Sequence, residues 1–91
     1  MEKVYVLEEI WEYDGQVETK VKLFSTFEKA QEEFNKLKVN NFVEDIQRDI
    51  DNGNEDSHID EDKKNEELYF YAYDSFNFEA LTITVDVKEI L

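Results

Sequence analysis

The 91-residue chain contains no cysteine, only two glycines, Gly15 and Gly53, and a single histidine, His58. Each shortage excludes chemistry. Without cysteine there is neither a disulfide framework nor a thiol nucleophile. One histidine cannot furnish a His-based zinc site or a His-bearing catalytic triad with the normal number of ligands. Two isolated glycines cannot make a phosphate-cradling loop. No apolar run approaches the roughly 18–20 residues that a membrane helix requires. The start, Met1-Glu2-Lys3-Val4, lacks the basic and apolar regions of a secretory signal. These features lead to the expectation of one cytoplasmic domain spanning residues 1–91, with no cofactor and no membrane contact. A chain this short buries only about 60–65% of its unfolded surface, which leaves little room for a deep substrate cavity.

What the chain has in excess is negative charge: 24 acidic side chains against 10 basic ones, a net of −14. Residues 1–43 hold nine acids and six bases, and residues 68–91 hold four acids and one base. The 44–67 segment holds eleven acids and three bases, so more than half the excess is concentrated there. Such a surface repels nucleic acid and anionic lipid and attracts basic protein surfaces, including the nucleic-acid clefts of other proteins.

Two runs rich in β-branched and aromatic residues, Lys3–Tyr13 and Gln16–Phe24, flank Asp14-Gly15, the strongest short-range hairpin signal. A two-residue loop there pairs Tyr13 with Gln16, Glu12 with Val17, Ile10 with Thr19, Glu8 with Val21 and Val6 with Leu23. The alternation of Val17, Thr19, Val21 and Leu23 predicts that this side faces the core. Ser25-Thr26-Phe27-Glu28 reads as a capping box, followed by a helical stripe of Phe27, Ala30, Phe34 and Leu37. A second stripe, Val39, Phe42, Val43, Ile46 and Ile50, is rotated from the first. The change falls at Asn40-Asn41, where Asn41 and Glu44 form another candidate cap. Two helices, or one sharply bent, are therefore expected, ending at Asn52-Gly53. Residues 51–66 contain one apolar residue, Ile59, and are expected to form a mobile acidic loop. Beyond it, Leu68, Phe70 and Ala72 alternate with three tyrosines. After a turn near Asp74–Asn77, Leu81, Ile83, Val85 and Val87 alternate with polar residues. Matching aliphatic positions pairs Phe70 with Leu81 and Leu68 with Ile83. The expected fold is α+β: a four-stranded antiparallel sheet of two hairpins, in the order β-β-α-(α)-β-β, with helices on one face.

Two groups of residues are candidates for binding. On the registers above, Tyr5, Trp11, Tyr13, Tyr69, Tyr71 and Tyr73, with Leu7 and Phe78, share the side opposite the aliphatic positions. Left uncovered, an aromatic face of this kind is a contact surface for a partner or for a second copy of the chain; covered by the second helix or the loop, or paired differently, it is ordinary core. The acidic group is Glu44, Asp45, Asp49, Asp51, Glu55, Asp56, Asp60, Glu61 and Asp62. Helical carboxylates three or four residues apart lie about 5–6 Å from one another, so an acidic helix and loop can imitate a row of phosphates. No calcium loop of EF-hand type fits: Gly53 at position 6 puts Arg48 at position 1, and a start at Asp51 puts Asp56 where glycine is required. Nothing singles out a pair of carboxylates for glycoside hydrolysis. The expectation is a non-catalytic acidic module that blocks a basic cleft, in the physical style of anti-restriction, anti-CRISPR or immunity proteins. The alternative is a small homo-oligomer associating through its aromatic sheet face.

Overall fold

The computed structural model describes residues 2–90. Its elements are β1 (Glu2–Tyr13), β2 (Gln16–Phe24), α1 (Phe27–Leu37), α2 (Asn41–Asp51), β3 (His58–Lys64), β4 (Glu67–Asp74) and β5 (Glu79–Ile90). The five strands form one antiparallel sheet in the order β2-β1-β5-β4-β3. The fold is therefore α+β, with five strands rather than the expected four. The extra strand is β3, inside the segment read as a loop. Its sequence, His58-Ile59-Asp60-Glu61-Asp62-Lys63-Lys64, holds a single apolar residue and so carries no apolar alternation. It is held by its ladder to β4 and by Ile59, which packs against the core beside Ala72.

The first hairpin keeps the register read from Asp14-Gly15 at all nine pairs, from Tyr5–Phe24 to Tyr13–Gln16. Both turn residues have positive φ, 49° and 72°, as a two-residue hairpin loop demands. The second hairpin is displaced by two residues from expectation: Leu68 faces Val85, Phe70 faces Ile83 and Ala72 faces Leu81. Its loop is Ser75-Phe76-Asn77-Phe78. The Asp74 carboxylate closes it, accepting from the Phe76 backbone N–H and from the Asn77 amide, each at 2.9 Å. A two-residue shift leaves each side chain on the same face, so the aliphatic side of this hairpin is as expected.

The core face of the first hairpin is the reverse of the expectation. Tyr5, Leu7 and Trp11 lie under the helices, together with Leu68, Phe70, Ala72, Leu81, Ile83 and Val85. Val17, Val21 and Leu23 are 65%, 56% and 66% exposed on the opposite side. The reason is position in the sheet. In β2 the helix-facing positions are Glu18, Lys20 and Lys22, and the Val and Thr side chains share the uncovered face with Glu8, Ile10 and Glu12. The central strand β1 sits beside β5, whose buried row Leu81–Ile83–Val85 selects Trp11, Glu9 and Leu7 as same-face neighbours. Only one face of β1 can be buried, and Tyr5, Leu7 and Trp11 occupy it.

Each helix supplies an apolar stripe to that face. Thr26, one residue later than the expected Ser25, caps α1 by accepting from the Lys29 N–H at 3.3 Å. Asn40 joins the two helices. Its side-chain oxygen accepts from the Val43 N–H at 2.8 Å, and its amide donates to the Leu37 carbonyl at 2.9 Å. Phe34 and Ile46 are the largest fully buried helical side chains. The Phe42 ring meets Trp11 edge-on, with centroids 5.2 Å apart, and Phe27 lies 6.0 Å from Tyr5. The helices divide the sheet: α1 packs over β1, β2 and β5, and α2 over β3 and β4.

Truncation should report this burial directly. Ile83→Ala should cost about 2–5 kcal/mol and Trp11→Ser about 3 kcal/mol, whereas Val21→Ala should stay within about 0.5 kcal/mol of the parent. Urea unfolding of the three variants checks the order. A cost for Val21→Ala equal to that of Ile83→Ala would contradict the face assignment.

The Tyr5 hydroxyl donates to a Glu66 carboxylate oxygen at 2.8 Å, and Lys3 Nζ reaches the other oxygen at 3.3 Å, tying β1 to the β3–β4 turn. The hydrogen bond holds the Glu66 carboxyl below its ordinary value and raises the Tyr5 phenol. A depressed carboxyl stabilises above its unfolded pKa, about 4.3, and loses that effect as pH falls through the folded value. A raised phenol stabilises below about 10 and loses its effect as pH rises. The deficit in melting temperature of Tyr5→Phe should therefore be greatest between these limits and shrink at both ends. A deficit independent of pH would show that the tie is not electrostatic.

Candidate functional site

At the end of α2 the chain turns through Asn52 to Ser57 before entering β3. Gly53 adopts φ 98°, and backbone N–H groups of Asn52, Gly53 and Asn54 return to carbonyls of the last helical turns. Asn54 organises the rest. Its side-chain oxygen accepts from the N–H groups of Asp56 at 2.9 Å and Ser57 at 3.4 Å. Its amide donates to the hydroxyls of Ser57 and Ser75, both at 3.2 Å. Buried Ser57 also accepts from the Ser75 N–H at 3.0 Å. This network fastens the α2–β3 connection to the β4–β5 loop.

Between the two segments lies a concavity of about 540 Å³ lined by Asp49, Asn52, Gly53, Asn54, Glu55, Asp56 and Phe76. Phe76 is 69% exposed and its loop neighbour Phe78 is 76% exposed, the latter at a positive φ of 56° that is unusual for a bulky residue. The open face thus combines three carboxylates with an exposed phenyl ring. Among the described residues no basic side chain forms an ion pair with Asp49, Glu55 or Asp56. Asp49 also sits in the last turn of α2, where the backbone dipole is negative and disfavours a carboxylate.

The other expected acidic residues are spread around this centre. Glu44 is exposed in the first turn of α2, where its charge suits the helix dipole. Asp45 pairs with Arg48 at 3.1 Å, and Asp51 accepts from the Gln47 amide at 3.0 Å. Asp60 and Asp62 lie on the open face of the sheet, while Glu61 points to the helix side and pairs with Lys38 at 2.7 Å. No group of three or more His, Asp or Glu side chains among the described residues is placed to hold a metal ion.

The six aromatic candidates are divided between the two faces of the sheet. Tyr5 and Trp11 are part of the core beneath the helices, and Tyr13 follows them on the same side at the end of β1. Hydrogen bonding to Glu18 raises the Tyr13 phenol. Tyr69, Tyr71 and Tyr73 stand on the open face in a stripe along β4. His58 belongs to that stripe rather than to a loop. Its ring centroid is 5.4 Å from that of Tyr71 and 5.6 Å from that of Tyr73. Burial, reinforced by nearby Glu12, pushes the Tyr71 phenol up. Three rows cross the open face: Val21, Glu8, Thr84, Tyr69 and Asp62; Thr19, Ile10, Thr82, Tyr71 and Asp60; and Val17, Glu12, Ala80, Tyr73 and His58. Sequence reasoning missed Phe76 altogether. A signal existed in the phenylalanine placed two residues after Asp74, within a segment otherwise composed of turn formers.

No family model matches the chain, and no curated protein or solved structure matches it. No helix among the described residues is long and apolar enough to cross a membrane.

Asn54 is the residue on which the shape of the concavity depends. Asn54→Ala leaves the Ser57 and Ser75 hydroxyls and two backbone N–H groups short of a partner and should cost about 1–3 kcal/mol. Amide hydrogen exchange should accelerate at Asp56, Ser57 and Ser75 before it does in β5. Unchanged exchange at these three amides would show that the connection is held by something else.

Proposed function

We propose that this protein is a non-catalytic acidic binding module that docks on a basic protein surface, in its most specific form the nucleic-acid cleft of another cytoplasmic protein. The observation that carries the reading is the concavity at the end of α2. There Asp49, Glu55 and Asp56 stand without basic partners beside the exposed ring of Phe76. Asp49, in the last turn of α2, loses about 0.3–1 kcal/mol relative to a neutral residue, and the exposed Phe76 ring buries little apolar surface in the free chain. A surface that costs folding energy is understandable as one built to be covered.

The chemistry of docking follows from the two components. Excess negative charge steers a basic partner into encounter and lets carboxylates occupy sites that phosphates would fill. Phe76 supplies an apolar anchor, which gives the complex residence time that screened charges alone do not. The Asn54 network holds both in place before binding, so that little ordering entropy is lost on association.

The test is affinity capture of basic nucleic-acid-binding proteins from a lysate at rising salt, comparing the parent with the Asp49→Asn, Glu55→Gln, Asp56→Asn triple variant. Capture should fall steeply as salt rises, because exposed charges are screened over about 8–10 Å near physiological ionic strength. The variant should be at least as stable as the parent and should lose most of the capture, chiefly through slower association. Capture that persists unchanged in high salt and in the variant would rule out electrostatic mimicry.

A further inference from the structure

The two free edges of the sheet are built differently. Edge strands invite pairing with another chain, and charged side chains are a common means of blunting them. The β3 edge carries Asp60, Glu61, Asp62, Lys63 and Lys64 in succession. The β2 edge carries three aliphatic residues on one side, Val17, Val21 and Leu23, and every residue from Gln16 to Leu23 is exposed. It is also the one strand where the strong acidity of the chain is reversed, with Glu18 against Lys20 and Lys22.

We propose that β2 pairs antiparallel with β2 of a second copy, joining the two sheets into one of ten strands. The backbone is ready for it. Tyr13 and Gln16 close a two-residue turn and so exchange hydrogen bonds with each other, and the antiparallel ladder alternates from there. Gln16, Glu18, Lys20 and Lys22 spend their backbone groups on β1. Val17, Thr19, Val21 and Leu23 direct theirs outward, to solvent in the isolated chain.

Side-chain charge selects the register. A two-fold axis normal to the sheet keeps like-numbered residues on one face, so the two strands can slide only in steps that conserve parity. With Thr19 opposite Thr19 of the second copy, Glu18 faces Lys20 of that copy and Lys20 faces its Glu18, a favourable pair on each side of the axis. On the other face, Val17 and Val21 oppose each other twice. One step along, Lys20 faces Lys20 of the second copy. A step further, it faces Lys22. Like charges directly opposite destabilise a ladder, so the Thr19-centred register is preferred. Since the whole chains carry −14 each, salt should strengthen this association by screening their mutual repulsion. That is opposite in sign to the effect on docking at the α2 end, which makes the two proposals separable. The pairing leaves the concavity of Asp49, Glu55, Asp56 and Phe76 uncovered.

Sedimentation equilibrium in moderate salt tests the proposal. The parent should reach twice the chain mass of 10.9 kDa at high concentration. Thr19→Pro removes an N–H that the β1 ladder does not use and should give a monomer. Should that variant fold poorly, two exposed charge reversals carry the test without it. Glu18→Lys and Lys20→Glu should each be monomeric alone, because each sets like charges opposite one another, and an equimolar mixture should form a heterodimer in which both pairs are restored. A parent that stays monomeric to its solubility limit would overturn the proposal. So would a Thr19→Pro variant that dimerises like the parent, or charge variants that fail to complement each other when the parent dimerises.

Discussion

Leu7 and Trp11 of β1 stand opposite Val85 and Leu81 of β5 on one side of the sheet, and this alternation of the β1–β5 ladder governs the remainder of the molecule. Successive side chains of a strand must point to opposite faces, so one buried pair in the central ladder determines the orientation of every residue in all five strands. Once Trp11 is under Phe42 and Tyr5 under Phe27, the helices have their site of attachment. Val17, Val21 and Leu23 are then necessarily outside, as are Tyr69, Tyr71 and Tyr73. The surface of this protein is thus a by-product of the choice made in its centre.

That choice was the part least legible in the sequence. Asp14-Gly15 specified the pairing of the first hairpin residue by residue, because a two-residue loop with positive φ at both positions admits one register. It could not specify which side would be covered. β2 shows the cleaner alternation, yet clean alternation of Val and Thr also suits an edge strand whose aliphatic side is exposed. In the second hairpin the aliphatic face was legible and the register was not, since displacement by two residues conserves every face. The helices were read from their apolar stripes, with caps one residue away from those expected because Ser25-Thr26 and Asn40-Asn41 each offer two adjacent capping side chains. β3 left no hydrophobic signal at all; backbone pairing and one isoleucine hold it.

The candidate site was legible in kind rather than in place. Composition located the acidic excess in residues 44–67, but the fold distributes those carboxylates among the outer face of α2, the concavity at its end and both sides of β3. Some are neutralised locally, as Glu61 is by Lys38 and Asp45 by Arg48. The three around Phe76 are not, and Asp49 among them stands in the last helical turn, where the dipole is unfavourable to it. Charge is handled in opposite ways at the two ends of the sheet order: concentrated near the α2–β3 end, relieved by Lys20 and Lys22 at the β2 edge.

The central claim is that Trp11 belongs to the helix-covered core while Tyr71 stands on the open face of the same sheet. Nuclear Overhauser spectroscopy of the aromatic protons tests it most directly. Cross-peaks should connect the Trp11 indole to the ring of Phe42, whose centroid is 5.2 Å away, and none should connect it to the ring of Tyr71. Cross-peaks from Trp11 to Tyr71, with none to Phe42, would place the aromatic residues together on the uncovered face and contradict the account.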